Sequence, residues 1–372
     1  MISYVTAGAG HRRAAEAIAE AARRRCPDAQ VSCVDLLSDA PPWLRWAYPR
    51  IYAVSVRFLP ASWGWVYRLL DHPWPFRLYQ PWRRRWNQAM TRRFARRLAE
   101  ERPDVVVTTH FFPTDVLATL RRAGRLPARF VVVLTDLFPH RMWLASEADA
   151  MAVASEQTRQ ACEQRGIRPE RLHVCGVPVE LRFSAPVDRP ALRRRLGLDP
   201  SRTTLLLASG GMGYGPLEPL VRALLAVDSS VASRLQVLVV CGHHDALAGR
   251  LSRRCADAPF PVRVFGFVEA MPELMQASDL LVTKAGGITI MEALTVGLPM
   301  VLCGTIPGQE SFNAEYVVAH GAAVDAAHPA QALATVLQLL GQPQRLEAMR
   351  HAAKSLSRPH AADDIAALIA SS

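Results

Sequence analysis

Val282-Thr283-Lys284-Ala285-Gly286-Gly287-Ile288-Thr289-Ile290-Met291-Glu292-Ala293 reads as the end of a strand, a glycine turn and the opening turns of a helix. Backbone N–H groups left free at such a turn, with the helix dipole behind them, suit a pyrophosphate, and Lys284 adds a point charge. Glu292, further into the helix, can accept hydrogen bonds from two ribose hydroxyls. Taken alone, Gly286-Gly287 is as readily a plain tight turn. It does not stand alone, because Pro307-Gly308-Gln309-Glu310 and Asn313 follow the next apolar run and bring several hydrogen-bonding side chains to the same sheet edge.

The strand-to-helix pattern continues outward in both directions. Short apolar runs at 2–6, 105–109, 130–135, 204–208, 235–241, 262–265, 280–282 and 300–303 alternate with helical stretches, which indicates parallel sheets covered on both faces. A charged stretch at 179–202, with Pro186, Pro190 and Pro200, precedes a fresh strand with its own glycine loop and reads as a linker between two Rossmann-like halves. No fixed-period repeat is present, which argues against a solenoid. In open α/β sheets ligands sit beyond the carboxyl ends of the strands, so two such sheets can bring two ligands together in a cleft.

Length and charge narrow the function classes. At 372 residues, half of them apolar, the chain is long enough for two cores. Net charge is +11, and of 44 basic residues only Lys284 and Lys354 are lysine. The excess favours an anionic partner, whether membrane surface, nucleic acid or phosphorylated substrate. The seven cysteines form no CxxC pair, which argues against a zinc site or a disulfide framework and fits a reducing compartment. No leader pattern opens the chain and no run of about 18 uncharged apolar residues occurs, so neither secretion nor a membrane span is expected.

Gly8-Ala9-Gly10-His11 lies between the first strand and a helix expected to begin near Arg12. A histidine there is either a general base or phosphate ligand, or else a cap bonded to a carbonyl. Asp136, in Leu134-Thr135-Asp136-Leu137-Phe138-Pro139-His140, is the rival base. Its apolar neighbours Leu137, Phe138 and Trp143 would raise its pKa, whereas its plain role is to cap the following turn. Gly210-Gly211-Met212-Gly213-Tyr214-Gly215 is a second glycine loop after a strand. The acidic residue that a dinucleotide site needs about 20 positions on is matched only by Asp228, so nicotinamide binding is disfavoured. His243 and His244 lack a third ligand at suitable spacing, and no metal is expected.

Seven of the eight tryptophans lie at 43–86, and from Trp43 to Ala99 twelve arginines stand against one acidic residue, Asp71. Trp63, Trp65, Trp82 and Trp86 beside that basic face make an interfacial segment on anionic lipid. Ordinary core helices with a solvated arginine face would use the same residue types. So would a nucleic-acid surface, but no nucleic-acid fold motif accompanies it, and no such partner is expected.

The opening stretch continued to Leu294, then Gly297-Leu298-Pro299-Met300-Val301-Leu302 and Pro307-Gly308-Gln309-Glu310 with Asn313 beyond, resembles the monogalactosyldiacylglycerol synthase and processive diacylglycerol glucosyltransferase family. The likeness extends to the Gly8 to Ala15 motif, Pro113-Thr114-Asp115, Thr135-Asp136 with His140 and Trp143, and Gly210-Gly211-Met212-Gly213, in order over nearly the whole chain. The stretch before Gly8 is short against that pattern. Kinship of that family with the lipid II N-acetylglucosaminyltransferase implies a GT-B fold, an α/β chain of two Rossmann-like domains facing across a cleft. The resemblance implies an acceptor- and membrane-binding domain at 1–180, completed by a C-terminal helix near 356–372, and a UDP-sugar-binding domain at 181–355. It further implies transfer of a hexose from UDP-galactose or UDP-glucose to diacylglycerol, without a cofactor, by a peripheral enzyme on the cytoplasmic face of the cell membrane. A single displacement at an α-linked donor gives a β-glycoside. Donor contacts then fall on Gly210, Gly211, Gly213, Lys284, Gly286, Gly287, Thr289, Glu292, Gln309, Glu310 and Asn313. Acceptor or membrane contacts fall on Gly10, Trp63, Trp65, Trp82, Trp86, His140 and Trp143, with His11 or Asp136 as base. Two alternatives stay open, a UDP-N-acetylglucosamine transferase acting on an isoprenoid-linked sugar and a non-catalytic membrane-bound nucleotide-sugar sensor.

Overall fold

A computed structural model describes residues 1–6, 9–211, 213 and 215–371, with side chains for all of these but 56, 57, 60 and 309. Gly8, Met212 and Tyr214 of the glycine motifs, and the side chain of Gln309, therefore lie outside the described residues. The chain divides into two compact units. The first comprises Met1–Glu180, Pro307–Gln309 and His360–Ser372, and the second Leu181–Ile306 and Glu310–Pro359.

Unit 1 is built on six parallel strands: β1 (Ile2–Tyr4), β2 (Cys33–Asp35), β3 (Val105–Thr108), β4 (Arg129–Val133), β5 (Ala150–Val153) and β6 (Leu172–Val174). Their order is β2-β1-β3-β4-β5-β6. Phe130, Val131, Val132 and Val133 of β4 are all fully buried, as a strand covered on both faces requires. Helix Gly10–Arg25 is rich in alanine, a strong helix former, and ends in three arginines that suit the negative end of its dipole. Its small side chains let helix Ala361–Ala370 approach closely, so that Ala17 and Ala21 pack with Ala362 and Ala366. Arg24 Nη2 donates to Asp363 at 2.7 Å across the same pair.

Between β2 and β3 the chain inserts helices Pro42–Phe58, Pro60–Asp71, Pro73–Met90 and Arg92–Glu101. The first three start on proline, whose missing N–H is no loss in a first turn. They leave much apolar surface uncovered. Of fifteen exposed large apolar side chains among the described residues, twelve lie at 43–86.

Unit 2 holds β7 (Thr203–Ala208), β8 (Leu235–Val240), β9 (Val262–Phe265), β10 (Leu280–Thr283), β11 (Met300–Cys303) and β12 (Ala323–Ala326), again all parallel. Read from the β9 edge the order is β9-β8-β7-β10-β11-β12, the dinucleotide-fold order of third, second, first, fourth, fifth, sixth. Strand order reverses between β7 and β10 here and between β1 and β3 in unit 1, and each reversal opens a crevice at the carboxyl ends of the strands.

The boundary between the two units falls at the start of the stretch 179–202, after Glu180. From Leu181 the stretch folds into unit 2, where Arg189 and Arg193 both bond Asp279, at 2.8 Å and 2.5 Å. Both arginines are committed to that carboxylate, and Arg193 is buried.

Candidate active site

Functional side chains gather in each unit where the strand order reverses. In unit 1, His11 stands in the first turn of helix Gly10–Arg25, after β1, and Thr109 and His110 follow β3. His11 Nδ1 lies 2.8 Å from the Thr109 carbonyl oxygen and 3.0 Å from Thr135 Oγ1. A carbonyl oxygen can only accept, so Nδ1 carries the hydrogen and Nε2 keeps its lone pair. His110 stands edge-on to the ring at 4.6 Å, and Trp143 is 5.8 Å away. Burial among these groups pushes the His11 pKa down to about 4, against a smaller upward pull from the Thr109 carbonyl. His11 is therefore a neutral imidazole near pH 7. His110 is likewise held neutral by burial first and His11 second, and its Nδ1 accepts the Phe112 N–H at 3.0 Å as the cap of helix Phe111–Arg122.

Both histidines line a cavity of about 480 Å³. The rest of its wall is mostly aromatic and aliphatic, and includes Tyr67, Leu70, Phe112 and Trp143 together with Trp63, Trp82 and Trp86. Among the described residues Arg83 is the one charged residue on that wall; its Nη2 donates to Asp115 Oδ1 at 2.7 Å. Asn87 Nδ2 donates to the other carboxylate oxygen at 2.6 Å, and all three residues are buried. Trp65 is not on the wall and is 66% exposed. Gly10 opens the helix that carries His11.

Two of the expected site residues, His140 and Asp136, are buried and lie off the cavity wall. His140 is fully buried, its Nε2 donates to the Tyr67 carbonyl at 2.8 Å, and its Nδ1 accepts the Met142 N–H at 3.1 Å. With both ring nitrogens committed, it fastens helix Pro60–Asp71 to the segment before Trp143. Asp136 is buried as well, close enough to Tyr67 that its charge adds to the burial that holds that phenol protonated, and it does not line the cavity. Tyr67, Arg83 and His110 were not expected from the sequence. Only the position of His110, just after a strand as His11 is, could have signalled any of them.

In unit 2, β10 ends at Thr283 and helix Gly287–Val296 begins four residues on. Its start has no capping side chain and no acid in the first turn, so its first N–H groups remain for an anion, with Thr289 beside them. Lys284 Nζ pairs with Glu310, whose second oxygen accepts the Ile306 N–H at 2.9 Å. A phosphate arriving here would compete with Glu310 for Lys284. Asn313 is fully buried and donates to the Ala285 carbonyl at 3.3 Å, so it braces the turn from behind. Glu292 is buried in the helix.

The loop after β7 reaches the same place, since a Cβ on Gly210 would lie 3.5 Å from Lys284 Cε. Gly213, at φ +66°, could carry no side chain, because a Cβ would meet the Cys241 carbonyl oxygen at 2.1 Å. The loops after β7 and β8 are tied backbone to backbone, the His243 N–H donating to the Gly211 carbonyl at 2.9 Å. His243 stacks flat on Phe267 at 4.1 Å, a ring pair that sequence reading did not anticipate. No group of three His, Cys, Asp or Glu residues among the described residues could hold a metal ion.

Two family models match the chain: monogalactosyldiacylglycerol (MGDG) synthase over residues 11–179, and the glycosyltransferase family 28 C-terminal domain over 205–365. The chain is similar to the chloroplastic monogalactosyldiacylglycerol synthase 1 of Arabidopsis thaliana, at 34% identity over 95% of this chain and 67% of that one. It is also similar to the processive diacylglycerol beta-glucosyltransferase of Bacillus pumilus, at 33% identity over 71% of this chain and 67% of the relative. In solved structures it resembles MurG of Acinetobacter baumannii, with 17% identity, a TM-score of 0.61, and coverage of 99% of this chain and 98% of that one. It resembles WaaG, a glycosyltransferase involved in lipopolysaccharide biosynthesis, with 16% identity, a TM-score of 0.57, and full coverage of both chains. Likeness at such identity speaks to fold alone, and the fold is of the GT-B class.

Proposed function

This chain belongs to the monogalactosyldiacylglycerol synthase family, and from that membership we propose that it transfers galactose or glucose from a UDP-sugar to the free hydroxyl of diacylglycerol. The observation that carries the reading is a neutral imidazole, His11, in the wall of an apolar cavity inside the unit matched by the family model. An acceptor that is hydrocarbon except at its glycerol end needs both features together.

Nε2 of His11 takes the hydroxyl proton as the acceptor oxygen bonds to the anomeric carbon of the donor and the bond from that carbon to the diphosphate breaks. The electron pair of that bond leaves with UDP. Thr109 and Thr135 hold Nδ1–H, so the ring keeps one orientation, and the Thr109 carbonyl eases the charge that grows on it. In unit 2, the free N–H groups of helix Gly287–Val296 and the Lys284 ammonium stabilise the leaving diphosphate, Lys284 exchanging Glu310 for phosphate oxygens. Glu310, so released, accepts from a sugar hydroxyl, and Glu292 serves the ribose. One displacement inverts the anomeric centre, so an α-linked donor gives a β-glycoside, in keeping with the name of the Bacillus relative.

Reaction at the cytoplasmic face of an anionic membrane accords with the exposed tryptophans and arginines at 43–86 and with seven cysteines that are all free thiols. No helix among the described residues is long and apolar enough to cross a membrane. The reading is tested with the full chain, vesicles of diacylglycerol in phosphatidylglycerol, and UDP-galactose and UDP-glucose carrying different labels. A hexosyl-diacylglycerol is expected, and the donor with the larger kcat/KM identifies the sugar. Absence of glycolipid with either donor would sink the proposal.

A further inference from the structure

We infer that the cavity of unit 1 seats one acyl chain of the acceptor and only one, always the same chain, while the other stays in the bilayer. The inference rests on the diacylglycerol reading above. The cavity measures about 480 Å³. A methylene needs roughly the room of a water molecule, about 30 Å³, so about sixteen of them fill it. Two long chains would need twice that space.

The wall suits hydrocarbon rather than a charged ligand. Its single charge among the described residues, Arg83, is answered by Asp115, and Asn87 is bonded to the same carboxylate. Both histidines on it are neutral. The cavity also has a mouth. Its wall includes Val66, Trp82 and Trp86, which are 42%, 60% and 40% exposed, so it runs from the surface to the imidazole. That rim belongs to the exposed apolar helices read above as the membrane face. A chain moving from bilayer to cavity thus exchanges one apolar medium for another and exposes little hydrocarbon to water. His11 lines the cavity with part of its surface accessible, so the glycerol end meets it there while the second chain stays in the bilayer as an anchor. Glycerol in this acceptor is chiral, so with its free hydroxyl held at Nε2 its two chains reach the cavity in inequivalent poses, and the seat discriminates between them.

The test uses three acceptors in the same vesicles: dipalmitoyl-glycerol and the two positional isomers in which one palmitoyl chain is replaced by a chain ending in pyrene. Dipalmitoyl-glycerol and one isomer should be glycosylated at similar rates, and the other isomer roughly ten- to a hundredfold more slowly. Equal use of both isomers, or refusal of both, would overturn the inference. No product from dipalmitoyl-glycerol itself would overturn the diacylglycerol reading instead, which separates the two failures. A second measurement uses Leu70→Trp, which fills part of the cavity. It should shift preference from dipalmitoyl- to didecanoyl-glycerol by roughly tenfold or more. An unchanged ratio between those acceptors, whatever the absolute rates, counts against the single-chain seat.

Discussion

His11 is fixed on one nitrogen and open on the other, and that asymmetry makes its predicted behaviour specific. Replacing it by alanine should lower kcat by about 10²- to 10⁴-fold while changing KM for diacylglycerol far less, because the loss falls on proton transfer. Steady-state kinetics on vesicles decides this; a variant within threefold of the parent would pass the proton to Asp136. The pH profile adds an independent reading. With its pKa at about 4, the imidazole stays neutral down to pH 5, so kcat/KM should remain flat from pH 7.5 to 5. An unshifted imidazole near 6.5 would lose roughly 30-fold over that range. The same shift has a consequence for stability. His11 and His140 are held at about 4 in the fold against 6.5 when free, so the unfolded chain binds the extra protons between those values. The support from keeping them neutral is therefore complete above pH 6.5 and is lost as pH falls toward 4. Thermal melts at pH 7, 6 and 5 should show a falling Tm, and a Tm that rises on acidification would contradict the neutral assignment.

Helix Phe111–Arg122 meets helix Pro73–Met90 through the buried group Asp115, Arg83 and Asn87. Arg83 is only 6% exposed, so Asp115→Ala leaves a buried guanidinium without its counter-charge and should cost about 3–5 kcal/mol in urea unfolding. The double replacement Arg83→Met with Asp115→Leu should recover most of that loss; a single-variant cost below about 1 kcal/mol would mean that water reaches the arginine. Nothing in the spacing of Arg83 and Asp115 announces the pair, and the same holds for other elements made by distant partners. Strands such as β4 and β8 were legible because their apolar runs are long. Cys33-Val34-Asp35 of β2, Leu172-His173-Val174 of β6 and Ala323-Val324-Asp325-Ala326 of β12 were not, being short edge strands interrupted by a charged, titratable or small residue. β5 is internal but half alanine, and it is a strand because β4 and β6 pair with it. The turn of Lys284, Gly286 and Gly287 was readable because it is local. Thr109 was invisible as a partner of His11, since 98 residues separate them and only the β1–β3 adjacency joins them.

At the scale of the molecule, unit 1 presents most of its unburied apolar surface on one inserted group of helices. Trp46, Trp65 and Trp74 there are 62%, 66% and 73% exposed and lie off the cavity wall. The same segment carries twelve arginines in a chain of net charge +11. Two forces would then bind a membrane, and they respond differently to salt. Screening shortens the reach of surface charge from about 10 Å at 0.1 M to about 3 Å at 1 M, whereas apolar insertion is not screened. Cosedimentation with phosphatidylglycerol-containing vesicles should therefore weaken at 1 M salt without vanishing. Replacing Trp46, Trp65 and Trp74 together by alanine should leave the melting temperature within a degree or two, since exposed side chains contribute little to folding. It should also weaken the residual high-salt binding, because three of the twelve exposed apolar side chains of that segment, all tryptophans, would be gone. Vesicle binding by the triple variant that equals the parent's at 1 M salt would place the membrane contact elsewhere on the chain.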